Sequence, residues 1–181
     1  GTSVTTACSY SPADKGYGIR AAVWAGANLD KEAAPMLFDR GIVAPGVDAG
    51  YVVSENAFGG KAFPGTVGQY NPGSQPFLKV NRHGERFMNE SQEYDNASHA
   101  SFQQPGHVYA MIHDANFRED VDRFHTIGCS ALTRCIPGMM EGQLEQYEGE
   151  GLIMKADTIE ELADKMGFTG AAKDTFLATV E

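Results

Sequence analysis

The chain has 181 residues, with 14 lysines and arginines against 24 aspartates and glutamates, so its formal net charge at pH 7 is −10. This acidic balance, without any run of basic residues, argues against a nucleic-acid partner. No apolar stretch approaches the roughly 18 residues of a membrane-spanning helix, so we expect no membrane partner either. A chain of this length can bury roughly two-thirds of its unfolded surface, which allows one substantial core.

The first half is predicted to contain one helix, followed by loops and short strands. Residues 14–27 have apolar residues at helical spacing and a terminating glycine at Gly26. Residues 33–76 are rich in glycine and proline, with short apolar runs at 36–38 and 51–53. We interpret this part as loops and short strands that wrap a site, because long loops cost little extra entropy.

A hairpin is predicted at residues 77–88. An apolar run leads into the turn 81–84, whose Gly84 can adopt the positive φ of a tight reversal. We expect Arg86, on the returning strand, to pair with a carboxylate. Asn89 or Glu90 is expected to cap the helix that follows.

Three further elements are predicted after the hairpin. A polar helix at 91–104 is capped near Asn89 or Ser91 and ends before a proline. A buried strand at 108–112 and a short helix at 115–124 come next. Residues 125–150 have weak periodicity and carry no prediction.

Two helices are predicted near the end of the sequence. Asp157 and Glu160 have the spacing of a capping box, and Gly167 can end the helix that it starts. The second helix begins near Gly170 and has no stop signal before the last residue. We therefore expect this helix to continue in a longer protein.

No metal site is predicted. Cys8, Cys129 and Cys135 lack Cys-x-x-Cys spacing, which excludes a haem attachment site, a thioredoxin motif and a zinc ribbon within the chain. Free thiols are favoured over a disulfide between Cys129 and Cys135. The five histidines are dispersed and form no ligand pair.

The pattern Val-Asn-x-x-Gly-x-Arg-Phe-x-Asn-Glu at residues 80–90 is more constrained than a generic hairpin. It resembles the capping (clamp) domain of the soluble fumarate reductase family of flavoproteins, which includes flavocytochrome fumarate reductases, urocanate reductase and ketosteroid dehydrogenases. Residues 16–27 are similar to the family's Gly-Asp-Gly helix, and residues 155–181 to the helix pair leading out of the cap. The resemblance implies an α+β fold, with a small mixed sheet and surrounding helices.

The resemblance also implies a division of the chain. Residues 1–30 would be a boundary segment from the FAD-binding domain, 31–155 the cap with its substrate-facing loops, and 156–181 the helices returning towards that domain. No Gly-x-Gly-x-x-Gly turn follows a strand in this sequence. We therefore expect FAD to be bound mainly by a domain outside the chain, and the fragment alone to retain no FAD and no activity.

Arg118 is the proton donor that the resemblance implies. In the family, a strand ending in Asp delivers a short helix whose Arg protonates the substrate while the flavin delivers hydride. Here the Asp is Asp114 and the Arg is Arg118. Because an arginine has a pKa above about 12, this role requires a strongly basic carbanion in the transition state. A solvated Arg118 paired with Asp114 or Asp122 is the structural alternative.

Further site residues follow from the resemblance. The family's proton relay falls on Gln69, Tyr70 and Gly73, and we predict that Gln69 and Tyr70 contact substrate. Tyr70 can donate a hydrogen bond and stack on a ring, or simply pack on the cap.

The family's His-Pro-Thr substrate segment falls near residues 38–41, where no histidine is present. Asp39 and Arg40 are predicted to replace it, with Arg40 suited to binding a carboxylate. A structural ion pair is the alternative. Tyr17 occupies the position of the flavin-contacting Asp and is the predicted cofactor contact.

The implied function is reduction of an activated C=C bond of a fumarate-like enoate by an FAD-dependent oxidoreductase. The cap would close over the flavin, and its partners would be the FAD-binding domain of the same parent chain and a small carboxylate or enone substrate. Two alternatives stay open: a ketosteroid-type dehydrogenase, and a free-standing module that binds a ligand or partner without chemistry. An apolar face is expected where the flavin domain would pack.

Overall fold

The structure is a computed structural model that describes residues 2–6, 16–29, 37–49, 54–55, 61–62, 66–70, 75–124 and 139–181. The strands are β1 Thr2–Thr6, β2 Leu37–Val43, β3 Ser54–Glu55, β4 Lys61–Ala62, β5 Thr66–Gln69, β6 Leu78–Val80 and β7 Val108–Ile112. The helices are α1 Tyr17–Trp24, α2 Tyr94–Phe102, α3 Phe117–Arg123, α4 Met139–Gly149, α5 Ile159–Lys165 and α6 Gly170–Val180. The three cysteines, Gly73 and the apolar run at 51–53 lie outside the described residues.

Five of the described strands form one sheet in the order β5-β2-β1-β7-β6, and β3 pairs with β4 separately. The α+β class predicted from the sequence is confirmed. All pairings among the described strands are antiparallel, whereas we expected a mixed sheet. β1 joins the two parts of the sheet, because Ser3 pairs with Gly41 of β2 on one side and with Val108 of β7 on the other.

The predicted hairpin turn is confirmed. The Gly84 N–H donates to the Asn81 carbonyl at 3.0 Å, and the Asn81 N–H donates to the Glu85 carbonyl at 3.0 Å. Asn81 Oδ1 also accepts from the N–H groups of His83 and Glu85, at 2.9 and 3.1 Å. Gly84 has φ +79°, the left-handed conformation that a side chain disfavours. The returning strand is limited to a bridge between Val80 and Arg86.

Arg86 pairs with a carboxylate as predicted, and the partner is Glu90. Arg86 Nε donates to Glu90 Oε1 at 3.0 Å, and Nη2 donates to Oε2 at 2.6 Å. Glu90 Oε1 also accepts from the backbone N–H of Lys79 at 3.2 Å. Burial raises the pKa of the Glu90 carboxyl, but the hydrogen bonds from Arg86 and the backbone outweigh burial and leave the pKa below its ordinary value. Glu90 thus ties the returning chain to β6.

The predicted cap of α2 was wrong. The helix starts at Tyr94 with Glu93 as its N-cap residue, later than the sequence predicted. Asn89 Oδ1 instead accepts from the N–H of Ser91 at 3.0 Å, closing a local turn. Because an asparagine side chain that bonds its own backbone two residues on favours a turn, Asn89 delays the helix rather than starting it.

The capping box of α5 is shifted by one residue from the prediction. Thr158 Oγ1 accepts from the Glu161 N–H at 3.1 Å, and Glu161 Oε2 accepts from the Asp157 N–H at 3.2 Å. Thr158 has the extended backbone of an N-cap residue. Gly167 has φ +82° and ends the helix as predicted.

α5 and α6 pack on one face of β6 and β7. Their shared cluster is built on Val80, Ala163, Phe168 and Phe176, and Ala163 and Phe176 are fully buried. The rings of Phe168 and Phe176 stack with centroids 5.0 Å apart. Leu162, Ala163 and Met166 of α5 therefore face the sheet.

A second cluster includes Met111 of β7 and residues of α3 and α4. Its buried members are Ile42, Tyr70, Phe77, Val121, Leu144 and Tyr147. Because side chains alternate along a strand, β7 sends Ala110 and Ile112 to the first cluster and Met111 to the second. α4 lies in the stretch that carried no prediction.

α1 confirms the first predicted helix over a shorter span and exposes apolar side chains. Ile19 is 63% exposed, Trp24 is 78% exposed and no residue of the helix is buried. This is an apolar face of the kind expected from the sequence. No helix in the described part of the chain is long and apolar enough to cross a membrane.

Replacing Gly84 by alanine is expected to lower the free energy of unfolding by about 3 kcal/mol. A Cβ there would lie 2.6 Å from the backbone N and 2.9 Å from the Cα of Phe176, at a positive φ. Urea denaturation measures the change. Gly142→Ala in α4 is the control, because a Cβ there meets no atom within 4 Å; stability should stay equal or rise. Equal losses in both variants would contradict the prediction.

Acid should destabilise the protein through Glu90. The folded-state pKa of Glu90 lies below its ordinary value of 4.5, so the unfolded state takes up a proton first as the pH falls. The stabilisation is therefore complete above pH 4.5 and is lost as the pH drops from there through the folded-state pKa. Glu90→Gln should flatten the dependence of the urea midpoint on pH in this range. An unchanged slope in the variant would refute the assignment to Glu90.

Candidate functional site

An open cleft of about 1140 Å³ lies along β7. Its walls include β7 and the segment that follows it, the loop after β2, and parts of α4 and α5. Tyr70 and Arg118 both line this cleft. The structure thus places two of the predicted site residues, one from the relay segment and one from the helix after β7, around the same space.

Strand register brings Arg118 to the cleft. β6 and β7 are antiparallel with Leu78 opposite Ile112, so β7 ends beside the start of β6. Asp114 Oδ1 then accepts from the Asn116 N–H at 2.8 Å, a turn that leads into α3. Arg118 lies in the first turn of α3 and is exposed. Its guanidinium carbon lies 4.6 Å from the ring centroid of Phe117.

Tyr70 is a core residue as well as a cleft residue. Its side chain is 5% exposed and meets Tyr147 edge-to-face with centroids 6.1 Å apart. Burial raises the pKa of the Tyr70 hydroxyl above its ordinary value of 10.0. The hydroxyl is therefore neutral at physiological pH and can act there as a hydrogen-bond donor. The ring of Tyr70 therefore packs in the core, as the structural alternative predicted. A contact between its hydroxyl and a substrate stays a prediction.

Asp39, Arg40 and Gln69 lie in neighbouring strands. Gly41 of β2 pairs with Gln69 of β5, so Gln69 sits next to Arg40 along the ladder. The pairing of β1 with β2 shifts register opposite Asp39 and Arg40. The structure therefore brings these three predicted substrate contacts to the same pair of strands.

Tyr17 lies elsewhere. It begins α1, its side chain is 65% exposed, and Arg20 lies over its ring with the guanidinium carbon 5.7 Å from the centroid. It is not among the described residues that line the cleft. The structure therefore does not bring Tyr17 together with Tyr70 and Arg118.

The described residues include no dinucleotide-binding turn. Among them, no glycine-rich turn leads from a strand directly into a helix, the arrangement that holds a dinucleotide pyrophosphate. The same part of the chain has no group of three or more potential metal ligands.

Sequence reasoning missed His113. This residue lines the cleft between β7 and Asp114, and its Nδ1 lies 3.2 Å from the Asp114 carbonyl oxygen. Burial lowers the pKa of the imidazole below its ordinary value of 6.5, against the opposing effect of Asp114. The sequence signal that could have identified His113 was its position between the predicted strand and Asp114.

Ion pairs also surround the cleft. Lys165 pairs with Glu161 at 2.8 Å, and Lys155 pairs with Glu148. Arg82, from the hairpin turn, binds Asp48 and donates to the Val47 carbonyl at 2.8 Å. Arg82 thereby holds the loop after β2 at the rim of the cleft.

The chain is similar in part to two redox enzymes. It is 34% identical over 91 residues to an NADH:acrylate oxidoreductase of Vibrio harveyi, a match that covers 50% of this chain and 8% of that protein. It is 36% identical over 120 residues to a 3-oxosteroid 1-dehydrogenase of Mycolicibacterium smegmatis, a match that covers 61% of this chain and 18% of that protein. The chain therefore spans only a small part of the length of either relative.

No family model matches the chain, and no solved structure matches it. The two partial matches support a relation to the flavoprotein oxidoreductases at that general level.

Tyr70 variants should separate the ring from the hydroxyl. Tyr70→Ala is expected to lower the free energy of unfolding by about 3 kcal/mol, because a buried ring packed on Tyr147 is lost. Tyr70→Phe keeps that ring and should change stability by less than about 1 kcal/mol. Urea denaturation of both variants measures this. Equal losses in the two variants would mean that the hydroxyl, rather than the ring, stabilises the fold.

Proposed function

We propose that this chain is the cap of an FAD-dependent oxidoreductase that reduces a carbon–carbon double bond conjugated to a carboxylate or carbonyl. The observation that carries the proposal is the placement of Arg118, on the short helix after β7 and Asp114, in a cleft shared with Tyr70. The partial similarity to an NADH:acrylate oxidoreductase supports the same class of reaction, because acrylate is an enoate.

The proposed chemistry adds a hydride to one carbon of the double bond and a proton to the other. FAD, bound mainly by another domain of the same natural protein, would supply the hydride. Arg118 would donate the proton to the carbon next to the carboxylate, which becomes strongly basic as hydride arrives. Since Arg118 is exposed, it can regain a proton from water.

The remaining predicted residues have supporting roles in this proposal. Tyr70, whose hydroxyl is protonated at neutral pH, would donate a hydrogen bond to a substrate oxygen. Asp39, Arg40 and Gln69 would contact the substrate from β2 and β5, with Arg40 on the carboxylate. Tyr17 would stack on the flavin from α1. The cap would exclude water when it closes over the flavin.

A ketosteroid-type dehydrogenase is the second candidate. The similarity to a 3-oxosteroid 1-dehydrogenase supports it, and a cleft of about 1140 Å³ is large for a three-carbon acid. Oxidation needs a base, however, and burial raises the pKa of Tyr70, which makes its phenolate harder to form. Reduction with Arg118 as the acid is therefore the favoured proposal.

The test is an Arg118→Ala variant of the natural protein that contains this chain. Oxidation of a reduced viologen dye is assayed against a panel of enoates that includes acrylate, and the visible spectrum reports flavin. The variant is expected to lose about 10³-fold in kcat, because general-acid catalysis is removed. Arg123→Ala is the matched control, since Arg123 is exposed on the same helix and pairs with Asp120 at 3.2 Å; its kcat should be unchanged.

The other outcomes separate the candidates. If the Arg118→Ala variant still reduces enoates, a residue other than Arg118 must donate the proton. Dehydrogenation of a 3-oxosteroid without enoate reduction would favour the second candidate. If the natural protein contains no flavin, the remaining candidate is a free-standing module that binds a ligand or partner without chemistry.

A further inference from the structure

We propose that Phe117 and His113 are positioning residues that hold the Arg118 guanidinium in place in the cleft. This proposal rests on the proposed role of Arg118 as the proton donor. It concerns side chains of this chain that the resemblance to a flavoprotein cap does not assign.

The evidence is a row of rings that runs from the core to the cleft. Phe77 is buried, and its ring lies 5.2 Å from that of His113, centroid to centroid. The ring centroids of His113 and Phe117 lie 4.8 Å apart. The Phe117 ring then faces Arg118, whose guanidinium carbon is 4.6 Å from its centroid. Contacts of this length are typical of aromatic and cation–π pairs.

The row is anchored at both ends of α3. The ring of Phe77 also meets that of Phe124, directly after the helix, edge-to-face at 5.2 Å. One buried ring therefore contacts His113 before the helix and Phe124 after it. Because α3 has only seven residues, fixing both ends leaves the position of Phe117 little freedom. The contacts of Phe117 and Phe124 with the cluster around Val121 add to this restraint.

An arginine side chain has several rotatable bonds, so its guanidinium must be held if it is to meet a reacting carbon. Packing against the face of a fixed ring restricts both the position and the plane of the guanidinium. Small displacements of an acid cost large factors in rate, since proton transfer needs near hydrogen-bond distance. The ring of Phe117 supplies that restraint without itself contacting the reacting atoms.

The character of His113 suits this role. Its imidazole lies between the rings of Phe77 and Phe117, and burial there favours the neutral form. A neutral ring adds packing without a second positive charge near Arg118. A substitution that keeps a ring, such as His113→Phe, should preserve the row, whereas His113→Ala should weaken it.

The first test is structural and uses the 181-residue chain. The side-chain protons of Arg118 should show upfield ring-current shifts in its NMR spectrum, because the guanidinium faces the Phe117 ring. Phe117→Leu should abolish these shifts and Phe117→Tyr should retain them. Phe176→Leu is the control, since Phe176 is buried in the other cluster: it should destabilise the fold and leave the Arg118 shifts unchanged.

The second test is kinetic and uses the natural protein that contains the chain. Phe117→Leu is expected to lower kcat for enoate reduction by about tenfold, with KM changed by less than about twofold. Phe117→Tyr should restore kcat, and Phe176→Leu should retain it under conditions where the protein stays folded. A purely structural role for Phe117 would not produce this separation of kcat from KM.

Two results would overturn the proposal: unshifted Arg118 protons in the wild type, or an unchanged kcat in Phe117→Leu alongside an active wild type. A different result would overturn the proposed function instead. If the natural protein reduces no enoate while the Arg118 shifts are present and vanish in Phe117→Leu, the positioning geometry stands and the assigned reaction fails.

Discussion

The approach of the hairpin turn to the last helix is the contact on which the rest of the structure depends. Gly84 brings its backbone so close to Phe176 of α6 that a side chain would not fit. A hydrogen bond of 2.8 Å from Thr179 Oγ1 to the Gly84 carbonyl stabilises this contact. α5 and α6 are thereby fixed on β6, β7 pairs with β6, and the end of β7 sets where α3 begins. Gly84 thus fixes how α6 packs beside β6, the strand that pairs with β7.

β7 separates the two clusters and gives the cleft its walls. Its side chains alternate between the cluster of α5 and α6 and that of α3 and α4, so residues of both clusters line the cleft. The cleft is open, and α1 exposes an apolar face. Both features fit the proposal that another domain completes the site. Closure by that domain would remove water from the cleft and strengthen the charge interactions inside it.

Residues whose roles depend on nearby backbone were the most predictable. Asn81 and Gly84 specify their turn through local hydrogen bonds and a positive φ, and the continuous apolar run of β7 indicates a strand. The caps were less predictable. Asp157 and Thr158 are both acceptable N-cap residues, and the structure uses Thr158. α4 escaped prediction because few of its side chains are buried.

The sequence by itself determined the hairpin turn and the short helix after Asp114 that carries Arg118. Each follows from side chains acting on backbone only a few residues away. Only the tertiary structure decided that Tyr70 is buried on Tyr147 and that His113 lies between Phe77 and Phe117. Tyr70 and Tyr147 are distant in sequence and meet where α4 packs in the core. Phe77 and His113 are also distant, and they meet because antiparallel pairing places the start of β6 beside the end of β7. No local pattern encodes that register.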